Sequence, residues 1–254
     1  MKLHHQIYGS GSPLIILHGL FGTLENWGSQ IKTLAESYQV IAVDLRNHGR
    51  SPHTDVMDYN AMANDVIELL DDLSLTDVNI MGHSMGGKVA MQIALNHPER
   101  LRKLIIVDIS PVVYQAHHDD VFKGLFSIDL NHIKSRTEAD RTLAQQVSDP
   151  SVRAFLLKNL YRDEHKIFNW RMNLPTLAQT YANLSQAPHG VPFTGETLFI
   201  KGANSDYILP DHRELILGLF PLATYKLIEG AGHWPHAEKP SIFTKLVLNF
   251  LQPQ

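Results

Sequence analysis

The chain contains no cysteine. That absence excludes disulfide staples, thiolate nucleophiles and cysteine-ligated metal together. Long apolar runs are missing too. Leu14-Ile15-Ile16-Leu17 is representative, against the roughly 20 residues that a membrane-crossing helix needs. Met1 to Gly9 lacks the apolar stretch of a signal peptide. Neither sign of charge dominates: 22 basic and 26 acidic residues give a formal charge of -4. This argues against a nucleic-acid binder that works through phosphate contacts. The expectation is a soluble cytoplasmic protein with no nucleic-acid partner and no integral membrane association. Histidine is the one excess, at 15. The pairs His4-His5 and His117-His118 are read as facing opposite ways along a strand. No His-Glu-x-x-His spacing occurs, so no metal site is expected.

What is present is an alternation. With 254 residues, 44% of them apolar, the chain can form one large α/β domain or two small ones. Strand-like runs at Pro13 to His18, Gln39 to Val43, Val78 to Met81 and Lys103 to Ile109 are interleaved with helix-like stretches at Trp27 to Ser37 and Tyr59 to Leu73. In the latter, Met62, Val66, Leu69, Leu70 and Leu73 recur at spacings of three and four. The strand runs do not alternate with polar residues. They therefore belong to strands covered on both faces, in a mostly parallel central sheet flanked by helices. From Pro111 to Pro192 the rhythm becomes helical, with Asp149-Pro150 and Asn173-Leu174-Pro175 as helix starts. It then reverts, with strands at Thr197 to Lys201 and Thr224 to Glu229 and helices at Asp211 to Leu219 and Ser241 to Leu251. Residues 1–110 and 193–254 are thus expected to form one core, with 111–192 inserted as a helical lid.

The chemistry is concentrated in a few loops. Gly82-His83-Ser84-Met85-Gly86-Gly87 places a serine inside Gly-x-Ser-x-Gly, after an apolar strand and before a helix. That is the context of a nucleophile elbow. A serine hydroxyl needs an adjacent base, and the base needs a third group to orient it. His233, in Gly230-Ala231-Gly232-His233-Trp234, lies between the last strand and the last helix, on the same sheet edge as Ser84. It is the base candidate, ahead of His236. His18-Gly19-Leu20-Phe21-Gly22 follows the first core strand, where the N–H groups of Leu20 and Met85 would face a developing oxyanion. Asp44 and Arg46 are expected to tie a neighbouring loop through a charge pair. Leu20, Phe21 and Met85 surround the reacting centre with an apolar collar suited to an acyl chain.

These residues resemble the α/β-hydrolase fold family over nearly the whole chain. The carrying motifs are His18-Gly19, Asp44-Leu45-Arg46-Asn47-His48-Gly49-Arg50-Ser51, Gly82 to Gly87 and Gly232-His233. Within that fold the chain is most similar to the small bacterial YbfF-type esterases, through His-Gly-Leu-Phe-Gly, Arg-Asn-His-Gly, Gly-His-Ser-Met-Gly-Gly-Lys and Gly-His-Trp-Pro-His-Ala-Glu-Lys-Pro. The resemblance bears on the triad acid. In many members it follows the strand after the lid, where this chain reads Gly202-Ala203-Asn204-Ser205-Asp206, with Ser205 at the usual acid position. In others it ends the strand before the lid, which is Asp108 here. Asp108 is preferred over Asp206, with Ser205 as an auxiliary hydrogen-bonding residue. The resemblance implies a serine esterase acting on small carboxylic esters, with acyl thioesters as a further class. It needs no cofactor and no metal. Other uses of the same triad are C–C bond hydrolysis, lactone opening and acyl transfer. A small-molecule binder that retains the fold without turnover is the remaining alternative. A serine rather than an aspartate at the elbow argues against epoxide hydrolase and dehalogenase chemistry.

Overall fold

The structure, a computed structural model, describes residues 1–252. Strands β1 (His5–Tyr8), β2 (Ser12–Leu17), β3 (Tyr38–Val43), β4 (Val78–His83) and β5 (Leu101–Val107) alternate with helices α1 (Gly28–Leu34), α2 (Tyr59–Asp72) and α3 (Met85–Asn96). Between β5 and the next core strand come α4 (Asp119–Phe126), α5 (Arg136–Leu143), α6 (Pro150–Leu156), the short antiparallel pair β6 (Leu160–Arg162) and β7 (Phe168–Trp170), then α7 (Leu174–Gln179) and α8 (Tyr181–Leu184). The core resumes with β8 (Glu196–Gly202), α9 (Arg213–Leu219), β9 (Ala223–Ile228), α10 (Pro235–Glu238) and α11 (Pro240–Leu251). The seven-stranded sheet has the order β1-β3-β2-β4-β5-β8-β9. Every pairing in it is parallel except β1 with β3.

The unalternating strands have a direct structural cause. In β2, Leu14 and Ile16 pack with Trp27, Ile31, Phe243 and Val247 on the layer built from α1 and α11. Ile15 and Leu17 pack on the opposite layer, with Met62, Val66 and Val89 of α2 and α3. Both faces are covered, so both sets are apolar. Local signals set the helix starts. Asp58 caps α2 by accepting the Ala61 N–H at 2.8 Å, and Asp149 caps α6 by accepting the Ser151 N–H at 2.7 Å.

Two local expectations are corrected. Arg46 does not pair with Asp44. It forms a buried bidentate pair with Asp65 of α2 at 2.6 and 2.9 Å, while Asp44 accepts the backbone N–H groups of Leu24 and Arg50 at 2.8 and 2.9 Å. The two side chains are near in sequence, but each finds a better-placed partner from another segment. His117 and His118 are not on a strand either. They precede α4, with His118 at its N-cap, and their ring centroids lie 4.2 Å apart. Each is drawn to a different phenol, His117 to Tyr207 and His118 to Tyr181.

Candidate active site

The carboxyl edge of the parallel strands gathers the motif loops. Ser84 sits between β4 and α3, as the N-cap of α3, with φ 52° and ψ -119°, a conformation that costs of order 1–3 kcal/mol for a non-glycine residue. Tight crossing of strand and helix holds it there. A Cβ on Gly82 would lie 2.1 Å from the Gly86 carbonyl oxygen, and one on Gly86 2.5 Å from the His18 carbonyl oxygen. Glycine at both positions is therefore a requirement of close backbone approach.

His233 Nδ1 lies 2.8 Å from Asp108 Oδ2. The Nδ1–H donates, which leaves Nε2 as the acceptor on the other side of the ring. Asp108 follows β5, is fully buried, and has φ 52°. Its Oδ2 also accepts the Ser205 hydroxyl, and its Oδ1 accepts the Gly202 N–H at 3.0 Å. Three donors on one carboxylate compensate the cost of burying its charge. Asp206 is exposed, and no hydrogen bond joins it to His233 among the described residues. Ser84 and His233 line one cavity. In this structure no hydrogen bond joins Ser84 Oγ to His233, so the two side chains must close on one another for proton transfer.

The loop after β2 is braced by two neutral histidines. His18 donates from Nδ1 to the Gly19 carbonyl at 2.8 Å and accepts the Leu45 N–H on Nε2 at 3.0 Å. His48 donates from Nδ1 to the Arg46 carbonyl at 2.9 Å and accepts the Phe21 N–H on Nε2 at 3.2 Å. Burial pushes the first down to about 4 and the second to about 3, so both keep the tautomer these bonds need. The Phe21 N–H is thus occupied. The N–H groups of Leu20 and Met85 have no hydrogen-bond partner among the described residues, and both residues line the cavity beside Ser84. The Phe21 carbonyl accepts Asn159 Nδ2 from the inserted segment at 2.7 Å.

The cavity has a volume of about 220 Å³. Phe21, Val121, Val152, Phe155 and Leu156 give it apolar walls, and Tyr59, Tyr114, Tyr181, His117 and His118 add a polar side. Lys88, one turn after Ser84, borders it without presenting free charge. Its Nζ donates to the carbonyls of Val112, Ser185 and Gln186 at 2.8, 3.2 and 2.5 Å. Burial pushes its pKa down to about 7, while three carbonyls matched to three N–H donors pull towards the ammonium form. His236 lies away from this cavity. It is buried, stacked on Trp27 at 4.3 Å, and pushed down to about 3 by burial and the nearby His233.

Sequence reasoning did not single out Lys88, Tyr207 or the His117–His118 pair as neighbours of the site. For Lys88 a signal existed, since it sits one turn beyond the serine on the elbow helix. For Tyr207 and the histidines nothing in the residue pattern reported which way the rings turn.

Elbow, histidine loop and glycine-bearing loop on one edge of a parallel sheet define a serine hydrolase of the α/β type. Residues 12–240 match the alpha/beta hydrolase fold family, and the chain belongs to it. It is 36% identical over 243 residues to Esterase YbfF of Escherichia coli, covering 95% of this chain and 94% of that protein. It is 39% identical over 247 residues to the sn-1-specific diacylglycerol lipase ABHD11 of Mus musculus, covering 94% and 80%. A solved marine microorganism esterase superposes with a TM-score of 0.96 at 41% identity, covering 98% of this chain and 99% of that one. The protein is a carboxylic ester hydrolase of this family. No helix among the described residues is long and apolar enough to cross a membrane.

Proposed function

We propose that the protein hydrolyses short-chain carboxylic esters, with acyl thioesters as a second class, through an acyl-enzyme on Ser84. Ser84 Oγ attacks the carbonyl carbon while His233 Nε2 takes its proton. Asp108 holds the Nδ1–H and steadies the imidazolium that forms. The N–H groups of Leu20 and Met85 receive the oxyanion, each contributing about 2.7–4 kcal/mol by analogy with the loss of one such donor elsewhere. The tetrahedral intermediate then collapses, the bond to the alcohol or thiol breaks, and His233 gives its proton to the leaving group. Water, deprotonated by His233, repeats the sequence to release the acid. Ser205 donates to the carboxylate oxygen that also takes His233 Nδ1–H, so its role is to keep Asp108 oriented. Residues 111–192 act as a lid that roofs the cavity, a reading supported by Val121, Val152 and Phe155 on its wall.

The observation that carries this reading is the 2.8 Å bond from His233 to the buried Asp108 beside a cavity that holds Ser84. The preference for short acyl groups rests on the small volume, below the roughly 300–1,000 Å³ of drug-sized pockets. The test is hydrolysis of p-nitrophenyl butyrate by the wild type and by Ser84→Ala. Turnover in the first and loss of about 10³-fold or more in the second is expected. Comparable rates would overturn the serine mechanism. No turnover in either, with no fluorophosphonate label on Ser84, would favour a non-catalytic binder.

A further inference from the structure

The His233 imidazole is held by more than its bond to Asp108. The Tyr207 ring is stacked on it, with centroids 4.0 Å apart and planes 22° from parallel. The His83 ring packs at 4.7 Å and 46°, and His83 Nε2–H donates to the His233 carbonyl at 2.7 Å. Of the two rings, only that of Tyr207 lies nearly flat against the imidazole.

Tyr207 is itself fixed from several directions. Its N–H donates to Ser205 Oγ at 3.3 Å, the hydroxyl that donates to Asp108. Its carbonyl accepts the Tyr114 hydroxyl at 2.5 Å, and Tyr114 in turn accepts the Ser110 N–H at 2.9 Å. Its phenol lies 2.6 Å from His117 Nε2, on the segment between β5 and α4. The ring therefore connects the acid loop and the inserted segment to the base.

We propose that Tyr207 is a positioning residue for His233, acting through its stacked ring face rather than through its phenol. The proposal rests on His233 being the general base. A single hydrogen bond at Nδ1 leaves the imidazole free to pivot about that bond, which would swing Nε2 away from Ser84. A flat ring packed on the imidazole face removes that freedom. The same face is electron-rich, so it attracts the ring more strongly once it becomes imidazolium. Both effects act mainly in the transition state, so loss of the face should appear in kcat rather than KM.

The test uses the full chain with p-nitrophenyl butyrate and a fluorophosphonate that labels Ser84. Tyr207→Leu removes the face, and it is expected to lower kcat and the labelling rate together by about tenfold or more, with KM within about twofold. Tyr207→Phe keeps the face and loses only the phenol. It is expected to restore kcat to within about threefold of wild type, and His117→Ala to match Tyr207→Phe rather than Tyr207→Leu. Circular dichroism and melting curves check folding, and Tyr207→Met replaces the leucine variant should that one fail to fold. A raised KM with unchanged kcat and labelling would make Tyr207 a mere cavity wall and overturn the proposal. Equal losses in the Phe and Leu variants would also overturn it, since the phenol and not the stacked face would then matter. A wild type labelled no faster than Ser84→Ala would instead defeat the serine–histidine reading on which the proposal stands.

Discussion

Asp108 and Asp206 show what burial and backbone direction do to two aspartates that compete for one role. Asp108 is fully buried and turned by a positive φ towards His233, with three donors on its oxygens. Asp206 points to solvent. Asp108→Asn is therefore expected to lower kcat on p-nitrophenyl butyrate by about 10²–10⁴-fold, because the amide leaves the histidine in the wrong tautomer. Asp206→Asn should cost far less. Equal losses in a side-by-side assay would displace Asp108 from the triad. The motifs singled out Ser84, His233 and the glycine-bearing loop as candidates, because a strand–turn–helix with small residues leaves a trace in sequence. The choice of acid rested on resemblance, since the spacing admitted two candidates. The stacked ring of Tyr207 left no trace at all. Two residues beyond Ser205, it is an ordinary aromatic until the loop is folded.

At the scale of elements, the elbow depends on how closely β4 and α3 approach. Gly82→Ala would bring a methyl within 2.1 Å of the Gly86 carbonyl. The expected outcome is destabilisation of about 1–3 kcal/mol, as for overpacked sites, with esterase activity falling as the elbow shifts. Denaturant titration would check it, and unchanged stability and rate would show that the crossing can relax. Lys88 links α3 to both ends of the inserted segment through Val112, Ser185 and Gln186. Its folded pKa, about 7, lies below its ordinary value of 10.5. Between those values the unfolded chain binds more protons than the native one, so stability from this group rises with pH across that window and is flat below it. The wild type should therefore gain on Lys88→Met in urea melts as pH goes from 7 to 10. A difference independent of pH would mean that the three carbonyls hold the ammonium form throughout. Helix caps at Asp149 and the amphipathic period of α2 were legible beforehand. The pairing of Arg46 with Asp65 was not, because it joins a loop to a helix face 19 residues on.

For the whole molecule, residues 111–192 contribute Val121, Val152, Phe155 and Leu156 to the wall of the site. That cavity has a volume of about 220 Å³, and Phe122, Leu125 and Leu177 of the same segment join the core layer that holds α2 and α3. A p-nitrophenyl ester series should peak at short acyl chains, with butyrate exceeding palmitate by about tenfold or more in kcat/KM. A preference for palmitate would show that the inserted helices move aside to admit long chains.

The sequence by itself determined the fold class, and it singled out Ser84 and His233 as candidates, because each of these rests on local physics. Double-sided burial makes strands uniformly apolar, close backbone approach demands glycine, and a histidine between small residues can turn into a site. Only the tertiary structure decided that Asp108 rather than Asp206 meets His233, that Arg46 answers to Asp65, and that Tyr207 covers the imidazole. Those outcomes depend on distances between segments remote in the chain and on side-chain rotation. Neither quantity is carried by residue type or spacing.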